Sequence, residues 1–257
     1  ENKNIVRKFF DEIKNIAKQE NCIFIRIRPQ LESNDFSKSL FKEYGFINAP
    51  MHLHAELTSQ LDISKSEEEL MKNMRKATRY EIRKAVSQGI RVTTSNDTST
   101  IKKFYELQLV TSKRQNFVPF SYKFLYEQFR VFAKEDTALL YSASYNNKLL
   151  AQAFIIFYGQ EANYHYGAST QEGRNYPGAY LIQWEAIKEA KRRGMVRYNF
   201  WGVSPENSSD HRFKGLSLFK RGFGGQDVQY LQAQDLVISA PRYLVNYLFE
   251  TVRRRLR

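Results

Sequence analysis

From Ser66 to Gln88 the chain reads SEEELMKNMRKATRYEIRKAVSQ, and Met71, Met74, Thr78, Ile82 and Ala85 recur in it at intervals of three and four. That is the period of one buried face of a helix. Ser66 ahead of Glu67, Glu68 and Glu69 provides a capping oxygen and an acidic first turn, and Gly89 provides a stop. One long helix over 66–88 is therefore predicted. On a second face Lys72, Lys76, Arg79 and Arg83 repeat in the same way, with Arg75 and Lys84 beside them, and no acid enters that row after Glu69. A solvated charged face would account for such a row; a surface for an anionic partner is the alternative that the missing acids favour.

The same periodicity divides the rest of the chain. Residues 5–19 carry Phe9, Ile13, Ile16 and Ala17 at helical spacing, 22–28 is a β-rich run, 36–44 a shorter helix ended by Gly45, and 54–63 a strand entered after Pro50. Beyond the long helix come a strand at 90–94 and helices opened by Asp97 and Ser121. Strands follow at 138–145, 149–158 and 162–168, the first two joined by Asn146-Asn147, a pair able to take left-handed geometry. A helix at 178–193 is stopped by Gly194. A strand at 196–201, a short helix at 214–221, a strand at 227–232 and a closing helix at 243–256 complete the series. In the closing helix Leu244, Leu248 and Val252 form the packing side, and Arg253, Arg254, Arg255 and Arg257 complement the dipole at its end.

In order, the second part is β-α-α-β-β-β-α-β-α-β, and the N-terminal part, α-β-α-β, repeats its last four elements. Ala17-Lys18 then Asn21-Cys22-Ile23 echoes Ala190-Lys191 then Gly194-Met195-Val196, helix turning into strand at the same offset. A duplicated α+β domain is predicted. Residues 1–88 would be the C-terminal part of the first copy plus a linking helix, 89–235 the second copy, and 236–257 a helix packing back on the first. The chain opens on Glu1, inside a helix, so the first copy is expected to lack its upstream elements here. The order resembles that of the GNAT (acyl-CoA N-acyltransferase) fold, in tandem.

Charge narrows the partners. Forty Lys and Arg against 27 Asp and Glu leave +13, with a pI near 9.6, which favours phosphate-bearing partners such as nucleic acid or anionic lipid. The single cysteine, Cys22, cannot form an internal disulfide and reads as a buried thiol in a reducing cytoplasm. No apolar run approaches the length that spans a bilayer.

Two stretches carry candidate chemistry. A GNAT-like domain presents a pyrophosphate-binding turn of the form Arg/Gln-x-x-Gly-x-Gly/Ala after its fourth strand, and Arg174-Asn175-Tyr176-Pro177-Gly178-Ala179 stands there, with Pro177 in the place of the first glycine. Proline has no N–H, so one phosphate donor is lost and coenzyme A is disfavoured as acyl carrier. Arg174 is then either a phosphate clamp or a loop-capping surface arginine. The second stretch is GVSPENSSDHRFKGLSLFKRGFGG, 202–225, in which Phe219 can face inward while Lys214 and Lys220 face a cleft. Lys220 could stabilise an oxyanion formed from an ester carbonyl, or simply cap a helix end. His52, His54, His165 and His211 have no partners at metal or triad spacing, so structural histidines are expected and neither metal nor cofactor. Tyr164, Tyr166, Tyr176, Tyr180, Trp184, Tyr198, Phe200 and Trp201 are expected mostly in the core, some hydroxyls lining the cleft.

Three motifs in order, LDISKSEEELMKNMRKATRYEIRKAVSQGI, YHYGASTQEGRNYPGAYLIQWEAIKEAKRRG, and YNFWGVSP with HRFKGLSLFKRGFGG, resemble the FemABX family of aminoacyl-tRNA-dependent transferases. The likeness covers most of residues 50–232. It implies twin GNAT-like domains and an aminoacyltransferase of peptidoglycan synthesis. In that reaction an aminoacyl ester on tRNA passes to the side-chain amine of the diamino acid in a precursor stem peptide, on lipid II or UDP-MurNAc-pentapeptide. Carried over by motif, Lys220 is the catalytic lysine with Phe219 before it. Arg174 holds the precursor's pyrophosphate, and Tyr180 and, more weakly, Tyr198 contact substrate. The family's second phosphate-binding lysine falls in the part of the first domain expected to be absent. The second domain carries no inserted coiled-coil arm, which resembles compact FemX-like members, and His54-Ala55 stands where the family carries Gln-Pro. A cytoplasmic enzyme able to contact the membrane face is implied. The rival readings are an acyl-CoA N-acyltransferase and a non-catalytic basic module for RNA or membrane.

Overall fold

The computed structural model describes residues 3–51, 55–115, 117–206 and 214–255. Its elements are α1 (Lys3–Gln19), β1 (Phe24–Ile27), α2 (Asp35–Glu43), β2 (Ile47–Asn48), β3 (Leu57–Asp62), α3 (Glu67–Asn73), α4 (Lys76–Ser87) and β4 (Arg91–Ser95). Then follow α5 (Ile101–Gln115), α6 (Tyr122–Lys134), β5 (Ala138–Tyr145), β6 (Lys148–Tyr158), β7 (Glu161–Ser169), α7 (Gly178–Arg192), β8 (Arg197–Gly202), α8 (Lys214–Arg221), β9 (Gln226–Gln229), β10 (Gln234–Val237) and α9 (Ala240–Arg255). Asp97 and Ser121 cap as expected, accepting from Ser99 N–H at 2.9 Å and Phe124 N–H at 3.2 Å. Asn146 and Asn147 both take positive φ, 49° and 62°.

The chain forms two compact units, Ser59–Asp227, and Glu1–Thr58 with Val228–Arg257. The larger unit is built on a sheet of order β4-β5-β6-β7-β8-β3-β9. Strand alternation sends Leu139, Tyr141, Ala143, Ala151, Ala153, Ile155 and Phe157 into a cluster with Ile82 and Ala85 of α4 and Leu181, Ile182 and Ile187 of α7. Ala138, Leu140, Phe154 and Ile156 point the other way, into a cluster with Phe104 of α5 and Leu125 and Phe129 of α6. Both faces of the sheet are therefore covered by helices, which explains why its central strands read as nearly continuous apolar runs.

The smaller unit holds an antiparallel sheet of order β1-β10-β2 and a core of Phe10, Phe41, Phe46, Leu231 and Leu236. Arg26 and Asp235 are direct cross-strand partners, joined by two hydrogen bonds of 2.7 Å. Arg26 also reaches Glu250 of α9 at 2.8 Å, and the Tyr243 hydroxyl donates to Asp235 at 2.8 Å.

The expected turn echo is present in each unit. Cys22 N–H bonds Ala17 O at 2.8 Å with Asn21 at φ 51°, and Met195 N–H bonds Ala190 O at 3.0 Å with Gly194 at φ 75°. This is the Schellman closure. It also ends α2 at Gly45 and α4 at Gly89, so by itself it does not identify a repeat.

Five expectations need correction. The helix over 66–88 is two helices, broken at Met74 and Arg75 although no proline or glycine lies there. The break is held from outside. Arg75 N–H leaves the helical ladder for the Gly222 carbonyl at 2.9 Å, Gly224 lies close beside the Asn73 backbone, and the Arg79 guanidinium takes the carbonyls of Lys72 in α3 and of its C-cap Met74. Arg79 is thereby removed from the free cationic row. Secondly, the contacts of α3 and α4 place them in the larger unit, so its boundary falls at 58/59 rather than at 88, and the return to the smaller unit begins at 228 rather than 236. Thirdly, β10 extends the C-terminal pairing beyond the predicted strand. Fourthly, α9 packs through Tyr243, 6% exposed, while Leu244, Leu248 and Val252 face solvent at 58%, 56% and 57%. Finally, Cys22 is half-buried rather than buried, and His52, His54, His211 and Arg257 lie outside the described residues.

Gly224 sits at φ 88°, and a Cβ there would meet the Asn73 carbonyl oxygen at 2.9 Å. Gly224→Ala should therefore lower stability by roughly 1–3 kcal/mol. Gly215→Ala, where a Cβ has open space around it, should be near neutral in the same thermal melts.

Candidate active site

Polar links fasten α8 to the loop that follows β8. Ser204 N–H donates to the Ser217 hydroxyl at 2.8 Å, and the Arg221 guanidinium donates to the Ser204 carbonyl at 2.6 Å. The Lys220 ammonium donates to the Gly202 carbonyl at 2.7 Å. Gly202 is presented by a strained corner, since Trp201 holds φ at 63°, braced by its N–H on Asn199 Oδ1 at 2.8 Å. A bulky residue in the left-handed region is uncommon and costs about 1–3 kcal/mol.

Lys220 is 6% exposed, and burial lowers its pKa from 10.5 to about 7. Near neutrality it is thus present both as an ammonium and as an amine. It lies over the Tyr164 ring, 5.8 Å from the centroid, and burial pushes Tyr164 up to about 12. A Cβ at Gly167 would overlap the Tyr164 hydroxyl, so this glycine is required by the phenol beside it.

The strands open at the same place. β7 and β8 run parallel but pair only through Glu161–Arg197, Ala162–Tyr198 and Asn163–Asn199, and the register ends before Tyr164. On the other side of β7, pairing with β6 passes over His165 between Tyr164 and Tyr166. Tyr164 thus lies where two parallel strands part, under the one lysine of α8 that is buried.

Phe219 and Tyr180 complete the cluster. Their rings meet edge to face at 4.8 Å, and Phe219 packs on the buried Phe223 at 5.5 Å. Burial raises the Tyr180 pKa, the nearby Glu81 adds to this and Arg75 opposes it, so the hydroxyl faces α4.

Arg174 is exposed on a 3-10 turn, Glu172–Asn175, six residues before Tyr180. Pro177 caps α7 without a side-chain hydrogen bond. The N–H groups of Gly178 and Ala179, in the first turn, lack carbonyl partners within the helix. Sequence reading missed Arg114, which is fixed on Ser169 by bonds of 3.1 and 3.2 Å. Burial lowers its pKa, and the like charge of Arg174 lowers it further, so two guanidinium groups stand near each other here. The arginine at the end of α5 gave no motif to detect it by.

Of the five expected site residues, Phe219 and Tyr180 are in ring contact, Lys220 follows Phe219 in α8 with its ammonium on the Gly202 carbonyl and over Tyr164, and Arg174 stands on the turn before α7. Tyr198 does not join them. It is fully buried, its hydroxyl is donated to Gln183 at 2.8 Å, and it belongs to the core between β8 and α7. Lys214 is exposed at the start of α8. His165 packs on Tyr166, ring centres 4.0 Å apart. Among the described residues no group of His, Cys, Asp and Glu is arranged to hold a metal.

The model of the FemAB family matches residues 1–149 and 132–250. The chain belongs to the FemAB family. Among curated relatives of this FemAB protein is the aminoacyltransferase FemA of Staphylococcus aureus (strain bovine RF122 / ET3-1), 23% identical, with 100% of this chain and 81% of FemA covered. That alignment runs over 339 residues, longer than the chain itself, so FemA carries inserted segments relative to it. Among solved structures, the crystal structure of FemX superposes with a TM-score of 0.84 at 20% identity, over 95% of this chain and 79% of FemX. A tandem GNAT protein from the clavulanic acid biosynthesis pathway superposes at 0.50 and 13% identity, over 91% and 69%. The fold of this FemAB chain is the tandem GNAT-like α+β fold.

Proposed function

We propose that this FemAB protein is an aminoacyltransferase that moves an amino acid from aminoacyl-tRNA to the side-chain amine of the diamino acid in a peptidoglycan precursor, building the interpeptide bridge. The observation that carries the mechanism is the buried Lys220, held on the Gly202 carbonyl over Tyr164 where β7 and β8 part. The acceptor amine attacks the ester carbonyl carbon. The carbonyl oxygen takes the negative charge, and a charged Lys220 stabilises it from a buried position. The intermediate collapses with cleavage of the ester C–O bond. The ribose hydroxyl leaves with a proton, the nitrogen gives up one, and an amide remains. Aminoacyl esters are already activated, so aligning the reactants and stabilising charge are the protein's main tasks.

Arg174, supported by the charge of Arg114, is read as the clamp for the precursor's diphosphate, and Tyr180 with Phe219 as the wall on which the substrates rest. Glu1–Thr58 with Val228–Arg257 is read as part of a first GNAT-like copy. Lipid II and UDP-MurNAc-pentapeptide both offer the diphosphate that Arg174 requires, and work on the lipid-linked form would place the protein at the cytoplasmic membrane face. An acyl-CoA donor is disfavoured because Pro177 removes a phosphate-binding N–H.

The test is to incubate the protein with mixed charged tRNAs and UDP-MurNAc-pentapeptide and weigh the product. A mass gain of one or more amino acid residues is expected; no gain here or with lipid II, together with a melting temperature raised by acetyl-CoA, would sink the reading.

The pH profile should carry the signature of Lys220. Productive encounter needs the charged lysine and a neutral acceptor amine of pKa about 10.4. Below pH 7 the lysine is charged, and kcat/KM should climb tenfold per pH step as the amine deprotonates. Above about 7 the loss of charged Lys220 offsets that gain and the profile should level. In Lys220→Arg, whatever its rate, the climb should continue past pH 8.

A further inference from the structure

Helix α4 starts with cations where helices prefer acids. Arg75 is its N-cap and makes no side-chain capping bond, and Lys76 opens its first turn. Positive charge at that end opposes the helix dipole, so helix stability does not explain these residues. Neither do ion pairs. Some helical cations elsewhere in the larger unit are neutralised, as Arg130 by Glu127 at 2.7 Å, Lys188 by Glu185 at 2.8 Å and Arg193 by Glu189 at 2.7 Å. Among the described residues others, such as Lys102, Lys103 and Lys113 of α5, are not, so it is the clustering of cations at the start of α4 that sets this row apart. Among the described residues Lys72, Arg75, Lys76 and Arg83, all exposed, have no carboxylate within 4.0 Å. Thr78, Ile82 and Ala85 bury one face of α4, which turns Lys76, Tyr80 and Arg83 together to the opposite one. Tyr80, 61% exposed, stands between the two cations on that face. An exposed aromatic ring between unpaired cations is suited to a nucleic acid strand, which offers phosphates and stackable bases together. An anionic membrane would use the charges and hold the ring at its interface, but it offers no base for the ring to stack on.

The row also begins at the candidate site. Arg75 N–H bonds the Gly222 carbonyl just after α8, and Arg75 is near enough to Tyr180 to oppose the rise in its pKa. Twelve residues of helix extend about 18 Å from there. We propose that the outward face of α4, with Lys76, Tyr80 and Arg83 at its centre and Arg75 and Lys72 at its near end, is the track on which the donor RNA lies while its charged 3′ end reaches Lys220. This rests on the reading of the protein as an aminoacyl-tRNA-dependent transferase.

The experiment compares wild type with Lys76→Ala/Arg83→Ala and with Tyr80→Ala. The double variant should raise KM for charged tRNA roughly tenfold or more with kcat unchanged, and flatten the dependence of log KM on log salt by about one for each phosphate left unpaired. Tyr80→Ala should raise KM and leave the salt slope alone. With an aminoacylated trinucleotide carrying only the 3′ end as donor, both variants should match wild type. Equal effects on trinucleotide and tRNA, or an unchanged KM, would overturn the proposal. So would loss of binding to phosphatidylglycerol vesicles with tRNA binding intact, which would assign the face to a membrane. Binding of uncharged tRNA by fluorescence anisotropy tests the surface even if no transfer occurs: weaker binding by the double variant supports it and equal binding rejects it, whereas absent transfer by wild type condemns the functional reading alone.

Discussion

Lys220→Met should cut aminoacyl transfer severely, lowering kcat by about 10²–10³-fold, the range found when one oxyanion donor is removed. The same variant should be the more stable protein at pH 6. Lys220 has a pKa of about 7 when folded against 10.5 for the free side chain, so below pH 7 the fold bears the full cost of a buried charge. Between about 7 and 10.5 the unfolded chain holds more protons than the folded one, and wild-type stability climbs by about 1.4 kcal/mol per pH step. Methionine bears no such cost. Its penalty is the unbonded Gly202 carbonyl, about 1–3 kcal/mol, so the gap in Tm should close and then reverse towards pH 10. Full transfer activity in Lys220→Met, or a variant less stable at pH 6 than wild type, would remove the assignment. A residue whose removal costs activity and returns stability is the pattern expected of a functional group held against its own preference.

The second large effect belongs to the smaller unit. Asp235 is completely buried, takes both hydrogen bonds of the Arg26 fork and accepts from Tyr243. Asp235→Ala leaves a guanidinium without its main counter-charge and should cost about 3–5 kcal/mol in urea unfolding. Arg26 keeps Glu250 at 2.8 Å, which caps the loss. Replacing both partners, Arg26→Leu with Asp235→Leu, should recover part of it, because the apolar pair avoids both desolvation terms but leaves Glu250 and the Tyr243 hydroxyl without these partners. A double variant as unstable as Asp235→Ala would mean that the strands need this pair for register rather than charge.

Much of the fold was legible because local signals and tertiary packing agree. The strands at 138–145 and 149–158, the turn at Asn146-Asn147, and the caps at Asp97 and Ser121 are encoded by residues within a few positions of one another. The joint at Met74 and Arg75 is not. Nothing local breaks the helix there, and the cause lies far along the chain, at Gly222 and Gly224. In α9 the apolar period was real, but the side that packs is chosen by Tyr243 and Glu250 rather than by the leucines. At the site, Phe219, Lys220, Arg174 and Tyr180 follow from motif resemblance. The depth of Lys220, the Gly202 carbonyl and the parting of β7 from β8 arise from long-range pairing, which no spacing in the sequence records. Tyr198 is the weaker carry-over from the same resemblance; the burial of its hydroxyl against Gln183 is a property of the folded sheet.

The bend between α3 and α4 has a mechanical corollary. Because the Arg75 N–H bond at the bend ends on the Gly222 carbonyl in the glycine turn behind α8, continuing the helical ladder through Arg75 would break a bond that ties α4 to that turn. The helix on which the donor RNA is proposed to lie and the helix that bears Lys220 therefore share one joint.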